Sequence, residues 1–102
     1  MSLDFKVKGW LEKDGKMVAG AGRIRLLELI QEHGSISKVA STMNMSYRHA
    51  WGLVKGMEAV LGAKLIESRR GGKIGGKSKL TRAGKRLLAD YYRGQRKLMQ
   101  MV

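Results

Sequence analysis

Along the first third of the chain the spacing of apolar side chains changes from one period to another. In LDFKVKGWLEKDGKMVAG, apolar Leu3, Phe5 and Val7 alternate with charged Asp4, Lys6 and Lys8, the period of two that marks a half-buried strand. Asp14-Gly15 then offers a tight turn, and Lys16-Met17-Val18-Ala19 returns as a second strand. An N-terminal β-ribbon is therefore predicted over residues 3–19. After Gly20 and Gly22 the period becomes helical: Ile24, Leu27 and Ile30 fall on one stripe, Leu26 and Leu29 widen it, and His33-Gly34 closes it, giving a first helix over 22–33.

The same signals place three more helices. Ser35 is a good N-cap for a short second helix over 36–43, where Ile36, Val39, Ala40 and Met43 repeat at three and four residues. Met43-Asn44-Met45-Ser46 breaks it, because Asn tolerates the left-handed conformation and Ser46 can cap the next helix. The third helix, 47–61, puts Ala50, Val54, Met57 and Leu61 on one face and ends at Gly62. Leu65-Ile66-Glu67 and Lys79-Leu80 read as short strands of a hairpin over 65–80, with Arg69 to Ser78 as its tip. Thr81 caps a last helix, 82–99, whose Leu87, Leu88, Tyr91, Tyr92, Leu98 and Met99 make a broad apolar face. The expected fold is mainly α (α+β), in one domain.

Charge sharpens this picture. The 102 residues hold 21 Lys and Arg against 8 Asp and Glu, a net +13. Residues 1–60 carry 9 basic and 6 acidic side chains, whereas residues 61–102 carry 12 and 2. Such self-repulsion is relieved when a polyanion lies against the surface, with nucleic acid the first candidate and an anionic membrane the second. The absence of cysteine excludes disulfides and thiolate metal sites. No run approaches the roughly 20 apolar residues of a membrane span, and the start lacks a signal-peptide core. A soluble, cytoplasmic protein is expected.

Residues 71–78, GGKIGGKS, fit the nucleotide-binding pattern G-x-x-x-x-G-K-[ST]. A working phosphate loop comes after a buried strand and runs straight into a helix, so that backbone amides converge on the phosphates. Here Lys77-Ser78 leads into Lys79-Leu80, and the helix begins only after Thr81. The context argues for a different use. Arg69, Arg70, Lys73, Lys77 and Lys79, interleaved with glycine, suit a wing whose backbone approaches a narrow groove while its cations neutralise phosphates.

Two helices joined by a short turn, the second starting with polar residues, form a helix-turn-helix. Ala40 is small where the helices cross, Met45 plugs the turn into the core, and Val54 and Met57 anchor the second helix from behind. Ser46, Tyr47, Arg48 and His49 remain exposed at its start. A helix N-terminus favours phosphate, and Arg can grip a guanine edge with two hydrogen bonds. Ser46, Tyr47, Arg48 and His49 are the candidates for reading the major groove, with Ser35, Ser37 and Lys55 as phosphate contacts and Arg69, Arg70, Lys73 and Lys77 as wing contacts to the flanking backbone or minor groove. Trp51 fits a packing role beneath the helix better than base stacking. The alternative on this pattern is a plain helical hairpin with a solvated basic face.

The blocks GSIS (34–37), MSYRHAW (45–51), the glycine-rich basic hairpin and LTRAG (80–84) resemble the N-terminal DNA-binding domain of the ModE family of molybdate-dependent transcriptional regulators. More distantly they are similar to the winged helix-turn-helix of LysR-type regulators. The resemblance covers about residues 21–96 and implies a winged helix-turn-helix that binds operator DNA as a dimer. Full-length ModE proteins carry a second, molybdate-binding region that these residues do not include, so molybdate sensing is not expected of this chain.

Two histidines, His33 and His49, make a poor metal site, and no nucleophile with a base and an orienting acid can be assembled. No cofactor, metal, small-molecule ligand or enzymatic activity is expected. The apolar surplus of the last helix predicts a homodimer through the first and last helices, helped by the ribbon, with recognition helices about 34 Å apart. The expected function is sequence-specific double-stranded DNA binding in transcription. The alternatives are a sequence-indifferent DNA-coating protein, a nucleotide hydrolase and a protein-only adaptor.

Overall fold

In the computed structural model, which describes residues 2–69 and 77–101, the chain forms the expected mainly α winged helix-turn-helix with a β-ribbon ahead of it and a long helix behind. The elements are β1 (Leu11–Lys13), β2 (Lys16–Ala19), α1 (Ala21–His33), α2 (Ile36–Thr42), α3 (Tyr47–Leu61), β3 (Ile66–Arg69), β4 (Lys77–Leu80) and α4 (Arg82–Gln100). The side chain of Arg69 lies outside the described residues.

The ribbon is shorter than the alternation of residues 3–8 predicts. Asp14 (φ 52°) and Gly15 (φ 78°) form a two-residue turn with both φ values positive, which sets Lys13 opposite Lys16 and Leu11 opposite Ala19. Gly20 then leaves β2 for α1, so no strand stands opposite residues 3–10, and Leu3 and Phe5 are 86% and 93% exposed. Glu12 faces Met17, which leaves Val18 as an extra residue in β2. This bulge turns both Val18 and Ala19 into the core. Lys13 Nζ donates to Leu61 O at 2.9 Å, fastening the ribbon to the end of α3.

All five apolar residues of the α1 stripe are buried, and α1 touches α2, α3, α4 and β4. Its centrality explains the broad stripe, since several neighbours cover its apolar side while Arg25 and Glu32 keep the opposite side exposed. Gly34 ends α1 at φ 70°, donating its N–H to Ile30 O at 2.8 Å. Its carbonyl accepts Ser78 N–H at 2.8 Å, so the wing's second strand is held by α1 on one edge and by β3 on the other.

The hairpin strands reach further toward the tip than expected, with Ser68 opposite Ser78 and Arg69 opposite Lys77. At the hairpin base, Thr81 Oγ1 accepts Gly84 N–H at 3.1 Å as an N-cap and donates to Lys64 O at 2.6 Å. Thr81 N–H bonds Leu65 O at 2.9 Å. Gly84 is buried here, because an added Cβ would stand 2.6 Å from Leu65 O. Helix α4 buries Gly84, Leu87, Leu88 and Tyr91 and then runs on with an exposed distal half. The radius of gyration is accordingly 15.3 Å, against roughly 13 Å for a compact chain of this length.

Candidate nucleic-acid interface

Ser35 and Ser46 cap the two helices of the pair in the same way. Ser35 Oγ accepts Lys38 N–H at 3.1 Å, and Ser46 Oγ accepts His49 N–H at 3.0 Å. Between them the chain turns through Asn44 at φ 57°, and Met45 N–H returns to Ala40 O at 2.9 Å. Ala40 is buried and Met45 half-buried against the core, so the turn is pinned from inside. That pin leaves the opening turn of α3 facing water: Ser46, Tyr47, Arg48 and His49 are all exposed, Tyr47 to 55%.

At about 100° per residue, Ala50, Val54 and Met57 form the buried line of α3. The opposite arc holds Arg48, Gly52, Lys55, Gly56 and Ala59, all exposed. Gly52 and Gly56 were missed in the sequence, although the helical period alone puts them on this arc. An added Cβ at either would meet nothing within 4 Å, so packing does not require them, while each glycine costs a helix interior about 1 kcal/mol. No acidic residue stands in the first turn of α3, leaving its helix-end charge available to an anion.

Lys55 is not a free arm. Its Nζ is 3.4 Å from Glu58 Oε1 and lies 4.6 Å from the centroid of Trp51, whose ring is half-buried against the core. Glu58, with its side chain 11% exposed, also accepts Leu65 N–H through Oε2 at 2.8 Å. This carboxylate joins α3 to the base of the hairpin, a link the sequence pattern did not disclose. Tyr47, four residues before Trp51, lies toward the Trp51 side of the helix rather than at the centre of the outward arc.

The other expected contacts divide into three groups. Ser37 is exposed on the first turn of α2, and Ser35 is half-buried with its hydroxyl already used as a cap acceptor. Lys77 is exposed in β4, and Arg69 is placed opposite it in β3. Arg70 and Lys73, with the glycines of 71–76, lie outside the described residues. Among the described residues no group of three or more His, Cys, Asp or Glu side chains could hold a metal, and no helix is long and apolar enough to cross a membrane.

Residues 22–85 match the family model described as bacterial regulatory helix-turn-helix protein, LysR family. The chain is similar to the molybdenum-pterin-binding protein MopA of Rhodobacter capsulatus, 37% identical over 81 residues that make up 79% of this chain and 31% of that protein. It is likewise 40% identical over 81 residues, 79% of this chain and 31% of the relative, to the DNA-binding transcriptional dual regulator ModE of Escherichia coli K12. The chain thus spans about a third of the length of these curated relatives. Among solved structures, the DNA-binding domain of BenM in complex with catB site 1 DNA aligns with a TM-score of 0.57 at 21% identity, covering 78% of this chain and 83% of that one. Oxidized OxyR of Corynebacterium glutamicum gives the same TM-score at 22% identity, covering 78% of this chain and 24% of that one. With a family match running from the start of α1 into the first turn of α4, the chain belongs to the LysR family of bacterial regulatory helix-turn-helix proteins.

Proposed function

We propose that this chain is the DNA-reading part of a sequence-specific transcriptional regulator, and that α3 enters the major groove with its opening turn leading. The observation that carries this is the outward arc of α3, where Arg48 and His49 flank Gly52 and Gly56. Two glycines that no neighbour requires let the helix backbone come close to a surface, and a duplex groove rewards close approach. Arg48 reads a guanine edge, with Ser46, Tyr47 and His49 as its companions on the same turn. Ser35, Ser37, Lys55, Arg69, Arg70, Lys73 and Lys77 hold phosphates. For Lys55 that contact competes with Glu58, so it is the weakest of the set. The ModE relative named a DNA-binding transcriptional dual regulator, and the BenM domain solved on DNA, are consistent with this assignment.

The regulator acts as a homodimer, in the cytoplasm and without catalysis. The apolar side of α1 is consumed by its own core, so pairing falls chiefly to the distal half of α4 and the N-terminal segment. Leu3, Phe5, Trp10, Met99 and Met101 are exposed there. Trp10 also lines a cleft of about 550 Å³ together with Val7, Met17, Met43 and Tyr91. Exposed apolar surface of this kind is usually covered by a partner, and a second copy places two recognition helices about one DNA turn apart.

Capture of genomic fragments on the purified chain, with sequencing of the retained DNA, tests the reading. A shared, roughly palindromic motif is expected. Retention of all fragments in proportion to their length would contradict it.

A further inference from the structure

Helix α4 carries six cations: Arg82, Lys85, Arg86, Arg93, Arg96 and Lys97, every one exposed. At about 100° per residue they fall within roughly a third of the helix circumference, opposite the buried Gly84, Leu87, Leu88 and Tyr91. The one carboxylate of the helix, Asp90, is taken by Arg93 at 2.9 Å. Among the described residues the other five cations make no ion pair. Arg82 repels Lys85 and Arg86 at spacings of three and four, and these three crowd the positive end of the helix, where no acidic residue offsets them. Among the described residues no carboxylate repays this arrangement.

The ridge also points away from the recognition helix. Helix α4 packs on α1 and β4, while α1 packs on α2 and α3. The inner side of α4, through Tyr91 and Gln95, borders the cleft that contains Met43, Met45 and Leu53 of the helix-turn-helix. Its outer side is therefore the side opposite the one that borders the helix-turn-helix.

From these observations we infer that the outer face of α4 is a second polyanion-binding surface, and that its occupant is another segment of double-stranded DNA. From Arg82 to Lys97 the ridge is about 22 Å long at 1.5 Å per residue. A duplex running along it presents on the order of a dozen phosphates in that length, counted over both strands. A membrane surface fits less well, because an interfacial helix needs an exposed apolar face along its cations; beside Arg82, Lys85 and Arg86 that face is buried in the core, and the exposed apolar residues lie in the distal half of α4 and in the N-terminal segment. The inference rests on the proposed DNA reading for the nature of the polyanion. It goes beyond that reading in giving each subunit two DNA contacts, so that the regulator bridges or wraps DNA.

The test is a bridging assay with the full chain, in which a short duplex is fixed to beads and capture of a second, fluorescent duplex of unrelated sequence is measured. The wild type is expected to capture it. A variant carrying Arg82→Gln, Lys85→Gln, Arg86→Gln and Arg96→Gln is expected to hold the bead-bound duplex within about threefold at physiological salt, where charges beyond about 8 Å are screened. Its capture of the second duplex should fall at least about tenfold. Relief of like-charge repulsion keeps the variant folded, which its melting temperature checks. Two results would overturn the inference: bridging undiminished in the fourfold variant, or a wild type that holds one duplex but never two. Vesicles of phosphatidylglycerol that bind the ridge in place of duplex would also overturn it. Failure to bind even one duplex would instead sink the DNA reading itself.

Discussion

Replacing Gly84 by alanine should destabilise the protein, against the usual benefit of alanine in a helix. Alanine is favoured over glycine in a helix interior by about 1 kcal/mol. At this position, however, the new methyl carbon would lie 2.6 Å from Leu65 O and 3.2 Å from Leu80 Cβ. Forcing extra volume into a packed site costs about 1–3 kcal/mol. Leu65 O cannot retreat freely, since it accepts Thr81 N–H at 2.9 Å, and weakening that bond costs about 1 kcal/mol more. The net loss is about 2 kcal/mol, which for a domain near this size lowers the melting temperature by roughly 8–16 °C. Gly94 is the internal control, because it lies on the same helix with nothing within 4 Å of an added Cβ. Gly94→Ala should raise stability by about 0.5–1 kcal/mol. Thermal unfolding monitored by far-ultraviolet circular dichroism measures both. A Gly84→Ala protein as stable as the wild type, or more so, would show that the hairpin base and α4 do not meet as closely as described.

Further predictions concern the recognition helix, its brace and the tie between α1 and α4. Gly52→Ala should stabilise the fold by about 1 kcal/mol, whereas Gly52→Leu should lower DNA affinity at least about tenfold, equivalent to about 1.4 kcal/mol; undiminished binding on a filter or gel assay would remove the groove contact. Glu58→Ala strips Leu65 N–H of its charged acceptor and should cost about 1.5–3 kcal/mol in chemical denaturation, with Glu58→Gln recovering part of it; equal stability of all three proteins would exclude the brace. The Tyr92 hydroxyl donates to the Glu28 carboxylate, and that bond chiefly, with burial and the Glu28 charge, pushes its pKa from 10.0 up to about 12. A raised folded pKa means that stability from this bond is complete below about pH 10 and lost as pH rises through about 12. The phenolate absorbance of the wild type should therefore show a step near pH 12 that Tyr92→Phe lacks, and titration of every tyrosine near pH 10 would refute the tie.

How far the sequence disclosed the structure depends on how local each cause is. The caps at Ser35, Ser46 and Thr81, the left-handed stops at Gly34 and Gly62, and the Asp14-Gly15 turn each depend on a few neighbouring residues, and all were legible. The alternation of residues 3–8 misled because a strand needs a partner, and the turn at Asp14-Gly15 had already committed β2 to Leu11–Lys13. The exposed opening turn of α3 was readable from its polar run. Its glycine-lined arc required the helical period to be carried past that first turn. The bracket of Glu58 on Leu65 N–H spans seven residues and a change of element, so no periodicity could have announced it. The apolar surplus of α4 suggested an interface shared with α1, whose own apolar stripe is buried against α2, α3, α4 and β4.

The central claim is that the first turn of α3 reads base edges, with Arg48 as the discriminating residue. Its most direct test is the ratio of affinities for the selected palindromic site and for a scrambled duplex, measured at one fixed salt concentration for the wild type and for Arg48→Ala. The ratio should shrink by about 5- to 150-fold, corresponding to roughly 1–3 kcal/mol at the base concerned, while affinity for the scrambled duplex changes little. An Arg48→Ala protein that binds both duplexes more weakly by the same factor, leaving the ratio intact, would contradict the account.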